Sequence, residues 1–224
     1  LYDRADSAFS RISTGEIDWT SVFTDAAVFH TTGISPAVSE SASEVTVEAL
    51  RAARESGITV SFDPNYRAKL WSRERAADVL RPLLEYVDIL ISNRSDAEGV
   101  LGASGAADIE VAERLAGEYG IGVVAIPSRE QTGAGMHRRS AVAYADGARY
   151  ESRPYDIEMV DMVGGGDSFA AGFLCGTIEA DVEQAVEWGV AFAALKHTNP
   201  GDLNFATRGE LEQVLGGGGM HIGR

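Results

Sequence analysis

Short apolar runs alternate with longer amphipathic stretches along most of this chain. The apolar runs predict strands at Ala26–His30, Ile58–Phe62, Val87–Ser92 and Gly122–Ile126. The spacing of apolar residues predicts helices at Glu40–Glu55, Arg73–Tyr86, Asp96–Leu101, Asp108–Tyr119, Asp167–Glu179, Asp181–Leu195 and Thr207–Leu215. A hairpin is predicted around Asp146-Gly147, with strands at Ala141–Tyr144 and Ala148–Arg153. This order favours an α/β fold with a mostly parallel sheet that helices cover on both faces.

The stretch Val160–Gly172 carries the strongest chemical signal in the sequence. It reads V-D-M-V-G-G-G-D-S-F-A-A-G, which predicts a tight turn from a strand into a helix. Glycines let backbone N–H groups approach a ligand closely, and a helix start adds unpaired donors and the positive end of the helix dipole. Such a turn suits a phosphate, and Asp167 beside it suits the removal of a proton from an alcohol. The alternative is a plain connection in which Asp167 only caps the helix.

A second interpretation of the same residues belongs to another reaction class. The run Gly166–Ala170 resembles the nucleophile elbow of a serine hydrolase with its last glycine replaced, which would make Ser168 the nucleophile. The four histidines show no metal-ligand spacing, and His197 is expected to be a partner of a helix C-terminal dipole rather than a catalyst. The sequence contains no G-x-x-x-x-G-K-[ST] motif, which excludes a Walker-type loop.

Two earlier strands are also followed by side chains that suit ligand binding. Arg67 lies in the loop after Ile58–Phe62, where a guanidinium suits a carboxylate or a phosphate; the alternative is a solvated surface arginine. Asn93 and Asp96 follow the next strand and have the spacing to order Mg²⁺ around a triphosphate, although Asn93 also suits a simple helix cap. In α/β folds ligands bind beyond the carboxyl ends of the strands, which is where these residues are expected.

Charge and composition narrow the choice of partners. The 224 residues include 34 acidic and 19 basic side chains, a net charge of −15 that repels nucleic acid and anionic membranes. No apolar run reaches the roughly 18–20 residues that span a bilayer. The single cysteine, Cys175, cannot form an intrachain disulfide, and the cytoplasm is the expected location. We expect one domain at residues 1–215 and a glycine-rich tail at residues 216–224.

Taken together, these segments resemble the ribokinase-like (PfkB) carbohydrate kinases, and most closely their 2-keto-3-deoxygluconate kinase branch. The resemblance covers nearly the whole chain and is carried by Val160–Phe169, by Phe62–Arg67 with Leu70-Trp71, and by Ala194–Asp202. The first segment is highly specific for the family, and the other two together are moderately specific for a sugar acid. The resemblance implies a three-layer α/β/α ribokinase-like fold, with the N-terminal strands and most of the lid missing from this sequence.

The resemblance also implies a reaction and the residues that perform it. With Mg²⁺, the enzyme would transfer the γ-phosphoryl group of ATP to the terminal hydroxyl of 2-keto-3-deoxygluconate or a close sugar acid. Asp167 would be the general base, and the backbone amides of Gly164, Gly165, Gly166 and Asp167 would form the anion hole. The remaining implied contacts are Tyr2, Arg4, Arg67 and Asp202 to the substrate, Asn93, Ser128 and Arg129 to ATP, and Asp96, through water, to the metal.

Two departures from the family pattern affect these assignments. Asp96 stands where a glutamate is usual, which shortens its reach, and the frequent Lys-x-Gly-x-x-Gly motif is replaced by Ile126–Gln131. Arg4 and Arg67 favour a sugar acid over a neutral sugar such as fructose. A fructokinase, a catalytically silent relative and the serine hydrolase are the alternatives. A homo-oligomer is a further expectation, because dimerisation through the lid is common in the family.

Overall fold

A computed structural model describes residues 6–217, which fall into two units bounded as Leu1–Val124 and Ala125–Arg224. The first unit contains β1 (Val28–Thr32), β2 (Thr59–Asp63), β3 (Ile89–Ile91), α1 (Trp19–Val22), α2 (Ile34–Val38), α3 (Glu40–Glu55), α4 (Arg73–Leu83), α5 (Arg94–Asp96) and α6 (Asp108–Tyr119). It also has 3₁₀ turns at Phe9–Arg11 and Leu84–Tyr86 and a π-helical turn at Ala97–Leu101. The second unit contains most of β4 (Val123–Gln131), then β5 (Met136–Ala145), β6 (Ala148–Glu151), β7 (Tyr155–Glu158), α7 (Gly165–Glu179), α8 (Val182–His197) and α9 (Arg208–Leu215).

The first unit is built on parallel strands. β1 pairs with β2 and β2 pairs with β3, both in parallel, and the N–H of Val123 at the start of β4 donates to the carbonyl of Asp88 at 3.0 Å. β3 is buried along its whole length and β2 along its centre, because helices connect parallel strands and cover both faces of their sheet. The predicted βα alternation is therefore confirmed in this unit.

Local signals determine where the helices of this unit begin and end. α3 begins after Ser39, whose hydroxyl accepts the N–H of Ala42 at 3.0 Å. α6 ends at Gly120, which adopts the left-handed conformation (φ 69°) that terminates helices at glycine. Both helices have the bounds that the sequence predicts. None of the helices within residues 6–217 has the length and apolar character needed to cross a bilayer.

The second unit adds antiparallel strands. β5 pairs with β6 across the turn at Asp146-Gly147, where both residues have positive φ, and the predicted hairpin is confirmed. β5 also pairs with β7, and alternate β5 residues from Arg139 to Ala145 are buried on one face. β4 extends to Gln131 instead of ending at Ile126. Ser128 and Arg129 therefore lie inside this strand, whereas the predicted bounds place them after its end.

Helices α7 and α8 pack closely because small residues line their contact. A methyl group added to Gly172 would lie 2.7 Å from the carbonyl oxygen of Trp188, and one added to Gly176 would lie 2.4 Å from the Cα of Ala185. Phe169 and Phe173 stack with ring centroids 5.7 Å apart and are fully buried, which contributes about 1.5–3 kcal/mol for each side chain. This contact fixes α7 along its length, while Cys175 stays exposed on its outer side.

Candidate active site

The N-terminus of α7 presents the glycine turn. β7 ends at Glu158, a short connection follows, and Gly164 caps the helix with φ 77°. The N–H of Ser168 donates to the carbonyl of Gly164 at 2.9 Å and makes the first intrahelical bond. The N–H groups of Gly165, Gly166 and Asp167 precede that bond, so the helix leaves them for an external acceptor. The helix dipole adds roughly half a positive charge at this end, and the turn therefore has the geometry of an anion hole.

Each of the three glycines has a different environment. A methyl group on Gly164 would lie 2.0 Å from the carbonyl oxygen of Asp202, and one on Gly165 would lie 2.2 Å from Cε1 of His197. Apart from the backbone of α7 and the adjoining residues, no atom of residues 6–217 lies within 4 Å of the corresponding position on Gly166. The first two glycines therefore allow close packing behind the turn, whereas Gly166 leaves space through which a ligand can approach.

Asp161 ties the connection before α7 to the segment after α8. Its Oδ1 accepts the N–H of Val163 at 3.0 Å, and its Oδ2 accepts the N–H of Gly201 at 2.9 Å. These two backbone hydrogen bonds, that from Val163 first, lower the pKa of Asp161. The carbonyl of Asp161 lies 2.8 Å from Nδ1 of His197 and accepts a hydrogen bond from it. The loop that positions the glycines is therefore held from two sides.

His197 is a neutral, buried side chain. Only 2% of its surface is exposed, and burial lowers its pKa to about 4 even though the bond to Asp161 acts in the opposite direction. Because Nδ1 donates, Nε2 carries the lone pair, and it has no hydrogen-bond partner among residues 6–217. His197 lies in the last turn of α8, as the sequence suggests, but near neutral pH it carries no positive charge to interact with the helix dipole. Its ring packs against Gly165.

The stability of the protein should fall as the pH is lowered through this titration. The folded state binds a proton on His197 only near pH 4, whereas the unfolded chain binds it near 6.5, so acid favours the unfolded state between these values. His197→Asn keeps a donor for the carbonyl of Asp161 but cannot titrate. We expect chemical denaturation to show a smaller loss of unfolding free energy from pH 6.5 to 4 in this variant than in the wild type. Equal losses would contradict the assignment.

Lys196 places a positive charge behind the same turn. The side chain is fully buried, and its Nζ donates to the carbonyl of Asn199 at 3.2 Å. Its Cε lies 3.2 Å from the position that a methyl group on Gly164 would occupy. No carboxylate forms an ion pair with Lys196 in the described part of the chain. A buried ammonium at this point stabilises negative charge in the turn, since little water screens it.

Three polar side chains near the turn differ in exposure. Asp167 is exposed at the third position of α7, where it is accessible to a substrate. Ser168 is only 4% exposed, which argues against the nucleophile interpretation because an elbow presents its hydroxyl to the substrate. Asp202 follows Gly201 (φ 83°), packs its carbonyl against Gly164 and has an exposed side chain. The backbone of Asp202 thus supports the turn, while its carboxylate is accessible.

In the first unit, Arg67 lies on an anchored loop after β2. The carbonyl of Asp63 accepts the N–H of Gly33 at 2.8 Å, and its Oδ1 accepts the N–H of Asn65 at 2.9 Å. The Arg67 side chain is exposed and donates to the carbonyl of Tyr66 at 3.1 Å. No carboxylate within the described ranges forms an ion pair with it, so the guanidinium can bind a substrate anion.

Asn93 and Asp96 form a hydrogen-bonded pair at the start of α5. The Asn93 side chain accepts the N–H of Asp96 at 3.0 Å and donates to its Oδ2 at 2.9 Å, and the N–H of Tyr66 donates to the same oxygen at 3.0 Å. Burial raises the pKa of Asp96, although these hydrogen bonds oppose the shift. Asn93 is therefore a helix cap, as one of the two interpretations expects, and also a partner of Asp96.

The carboxylate of Asp96 suits a magnesium ion whose other ligands are water molecules and phosphates. Within residues 6–217 no three His, Cys, Asp or Glu side chains are grouped so that they could hold a metal. One oxygen of Asp96 already accepts two hydrogen bonds. A single carboxylate of this kind fits a Mg²⁺ that keeps its waters and binds phosphates, as the ion usually does. The indirect contact of Asp96 with the metal stays a prediction.

Sequence reasoning missed Arg139. This residue lies on β5 opposite Tyr155 of β7, is 9% exposed, and its pKa is lowered to about 10 by burial and by Arg129. The signal was present in the alternation along β5, which places Arg139 on the buried face together with Ala141 and Ala143. Ser128 is partly buried and Arg129 is exposed. Tyr2 and Arg4 lie outside the described residues.

Comparisons with known proteins agree on one family. The sequence profile described as "pfkB family carbohydrate kinase" matches residues 3–207. The chain is 39% identical over 225 residues to a 2-dehydro-3-deoxygalactonokinase of Haloferax volcanii, covering 100% of this chain and 68% of that protein. It is 30% identical to a 2-dehydro-3-deoxygluconokinase of Bacillus subtilis strain 168, covering 96% of this chain and 64% of the relative. The chain thus spans about two thirds of the length of these relatives.

A solved structure of a relative has the same fold as this chain. The crystal structure of 2-dehydro-3-deoxygluconokinase from Thermotoga maritima superimposes with a TM-score of 0.92 at 37% identity. The match covers 97% of this chain and 68% of that protein. The predicted fold class, three-layer α/β/α with a mostly parallel central sheet, is confirmed.

Proposed function

Because this chain belongs to the pfkB family of carbohydrate kinases, we propose that it transfers the γ-phosphoryl group of ATP to a 2-keto-3-deoxy sugar acid. The observation that carries the proposal is the start of α7, where three consecutive amides and an exposed Asp167 occupy one glycine turn. In the transition state of the transfer, the phosphoryl group carries negative charge on its oxygens. Amides that already point toward these oxygens stabilise that charge without reorganising.

Each residue of the turn has a distinct part in the proposed reaction. The amides of Gly165, Gly166 and Asp167, together with that of Gly164, bind the transferring phosphoryl group. The Asp167 carboxylate takes the proton from the acceptor hydroxyl as the oxygen attacks. Lys196 and the helix dipole hold positive potential behind the turn, because the Lys196 side chain is buried and its Nζ is anchored on the carbonyl of Asn199.

Magnesium and ATP enter the proposal together. When bound, Mg²⁺ would neutralise part of the phosphate charge. We assign to Asp96 the orientation of its water, to Asn93 the support of that carboxylate, and to Ser128 and Arg129 contacts with ATP. The burial of Asp96 and the hydrogen bond from Asn93 support the first two assignments, since both restrict the carboxylate to one orientation.

The substrate class rests on Arg67, Asp202 and the relatives. We propose that Arg67 binds the carboxylate of the sugar acid, because its guanidinium is exposed and forms no ion pair within the described residues, although it acts electrostatically on Asp96. Asp202 is assigned to the sugar hydroxyls. 2-Keto-3-deoxygluconate, also called 2-dehydro-3-deoxygluconate, is the proposed substrate, because two relatives are named 2-dehydro-3-deoxygluconokinase. Its C4 epimer is the second candidate, because the relative at 39% identity is named for the galactonate.

A coupled ADP-release assay tests the proposal. We expect turnover with 2-keto-3-deoxygluconate or 2-keto-3-deoxygalactonate and little with fructose or ribose, which lack the carboxylate. Arg67→Met should raise KM for the sugar acid by about 10- to 100-fold, the range lost with a charged hydrogen bond, and should leave KM for ATP nearly unchanged. Arg75→Met, which removes another exposed arginine of the same unit, is the control. Equal turnover of acids and neutral sugars would contradict the substrate assignment.

A further inference from the structure

Arg139 is a buried cation without a hydrogen-bond acceptor within residues 6–217. Its side chain is 9% exposed, its Nε has no partner, and no ion pair or hydrogen bond of the described residues includes its guanidinium. The adjacent Arg138 has the opposite environment. It is exposed and forms a bidentate ion pair with Asp156, in which Nε donates to Oδ1 at 2.8 Å and Nη2 donates to Oδ2 at 2.9 Å. The two arginines are adjacent in one strand, but one is buried without an acidic partner and the other is exposed and paired with a carboxylate.

A buried guanidinium of this kind is costly to the apo protein. Charge removed from water needs a counter-charge or several hydrogen bonds, and the described residues provide no partner for the buried Nε of Arg139. The chain has 34 acidic residues, so an acidic partner was readily available to it. The charges that act on Arg139 and His197 are positive instead: Arg129 acts on both, and Lys196 and Arg139 act on His197. A bound anion would supply the counter-charge that these cations lack.

Lys196 and His197 pack against the glycine turn of the second unit, and Arg129 and Arg139 act electrostatically on His197. His197 contacts Gly165, and Lys196 lies behind Gly164. Arg129 and Arg139 belong to the two strands of one hairpin, which closes where the N–H of Thr132 donates to the carbonyl of Met136 at 3.0 Å. Positive potential is therefore concentrated in one part of a chain whose net charge is −15.

We propose that Arg139 and Arg129 form a subsite for the β- and γ-phosphate groups of the nucleotide. This proposal rests on the proposed function and names how ATP is held. Guanidinium groups bind phosphate oxygens through two parallel hydrogen bonds, and a polyphosphate offers enough oxygens for two arginines. The Lys-x-Gly-x-x-Gly motif that is frequent in the family is replaced by Ile126–Gln131, and the two arginines provide cationic charge on this side of the site.

Calorimetric binding of ATP, ADP, AMP and inorganic pyrophosphate tests the subsite. Arg139→Met should weaken the binding of ATP and of ADP by about 10- to 100-fold, which is the loss expected when a charged hydrogen bond is removed. AMP lacks the outer phosphates and should lose much less affinity. Arg138→Met is the matched control and should bind all four as the wild type does. Without ligand, Arg139→Met should melt no lower than the wild type, because the substitution removes an uncompensated buried charge.

The outcomes separate this proposal from the proposed function. Unchanged ATP affinity in Arg139→Met, or an equal loss in Arg138→Met, would overturn the subsite even if the wild type phosphorylates a sugar acid. Loss of pyrophosphate binding without loss of ATP binding would assign the site to a free anion and also overturn it. An Arg139-dependent affinity for ATP in a protein without kinase activity would keep the subsite and refute the function. If Arg139→Met fails to fold, Arg129→Met and Arg139→Lys test the subsite instead. Each should lower the affinity for ATP and ADP more than the affinity for AMP.

Discussion

Asp167→Asn should lower kcat by about 10²- to 10⁴-fold, the contribution usual for a general base, and leave the affinity for ATP almost unchanged. The asparagine has nearly the same size and cannot accept the proton of the acceptor hydroxyl. Because Asp167 is exposed, its replacement should not disturb the packing of α7. Steady-state kinetics with a sugar acid and calorimetric binding of ATP measure the two quantities separately.

Ser168→Ala is the neighbouring control for this experiment. Ser168 is 4% exposed and points away from the surface, so its loss should change stability slightly and leave kcat within a few-fold of the wild type. The serine hydrolase alternative predicts the reverse, with Ser168→Ala inactive. A result in which Asp167→Asn keeps full activity would remove the general base from the mechanism.

Gly164→Ala and Gly165→Ala should each disrupt the anion hole. At Gly164 the new methyl group would meet the carbonyl oxygen of Asp202, and φ of 77° adds about 1–2 kcal/mol of strain for any L side chain. At Gly165 it would overlap with the imidazole of His197. Displaced amides no longer point at the phosphoryl oxygens, and loss of one such donor costs about 10²- to 10³-fold in kcat. We expect losses at least that large, together with a lower melting temperature.

The third glycine provides the stability control. A methyl group on Gly166 meets no atom of another element within 4 Å in the described part of the chain, and alanine is a better helix former than glycine. Gly166→Ala should therefore melt at or above the wild-type temperature. A fall in melting temperature as large as that of Gly164→Ala would show that the effects do not depend on the close contacts behind the turn. Differential scanning calorimetry of the three variants makes the comparison.

Elements governed by local chemistry could be predicted from the sequence. α3 and α6 have the predicted bounds because Ser39 and Gly120 act on residues a few positions away. β7 was missed: it has four residues, and its pairing partner in β5 begins 19 residues before it. β4 was predicted too short because the polar residues after Ile126 suggest a loop, whereas pairing within the hairpin keeps them extended.

The same distinction applies to the candidate site. The geometry at Gly164–Asp167 follows from glycines and a carboxylate in consecutive positions, so the sequence predicts it. The contributions of Lys196, His197 and Arg139 depend on burial, which only tertiary packing determines. His197 illustrates the point, since in sequence it resembles a cation at a helix end, yet the surrounding residues exclude water and keep it neutral.

The rigid packing of α7 offers a direct way to observe ligand binding. Its first turn forms the glycine turn, and Cys175, the single thiol of the sequence, lies ten residues further along, about 15 Å away at the rise of an α-helix. A maleimide fluorophore would attach at one defined point without further mutagenesis. Because α7 is held along its length by α8, any change in emission on adding nucleotide would report an event at the helix start rather than bending of the helix itself.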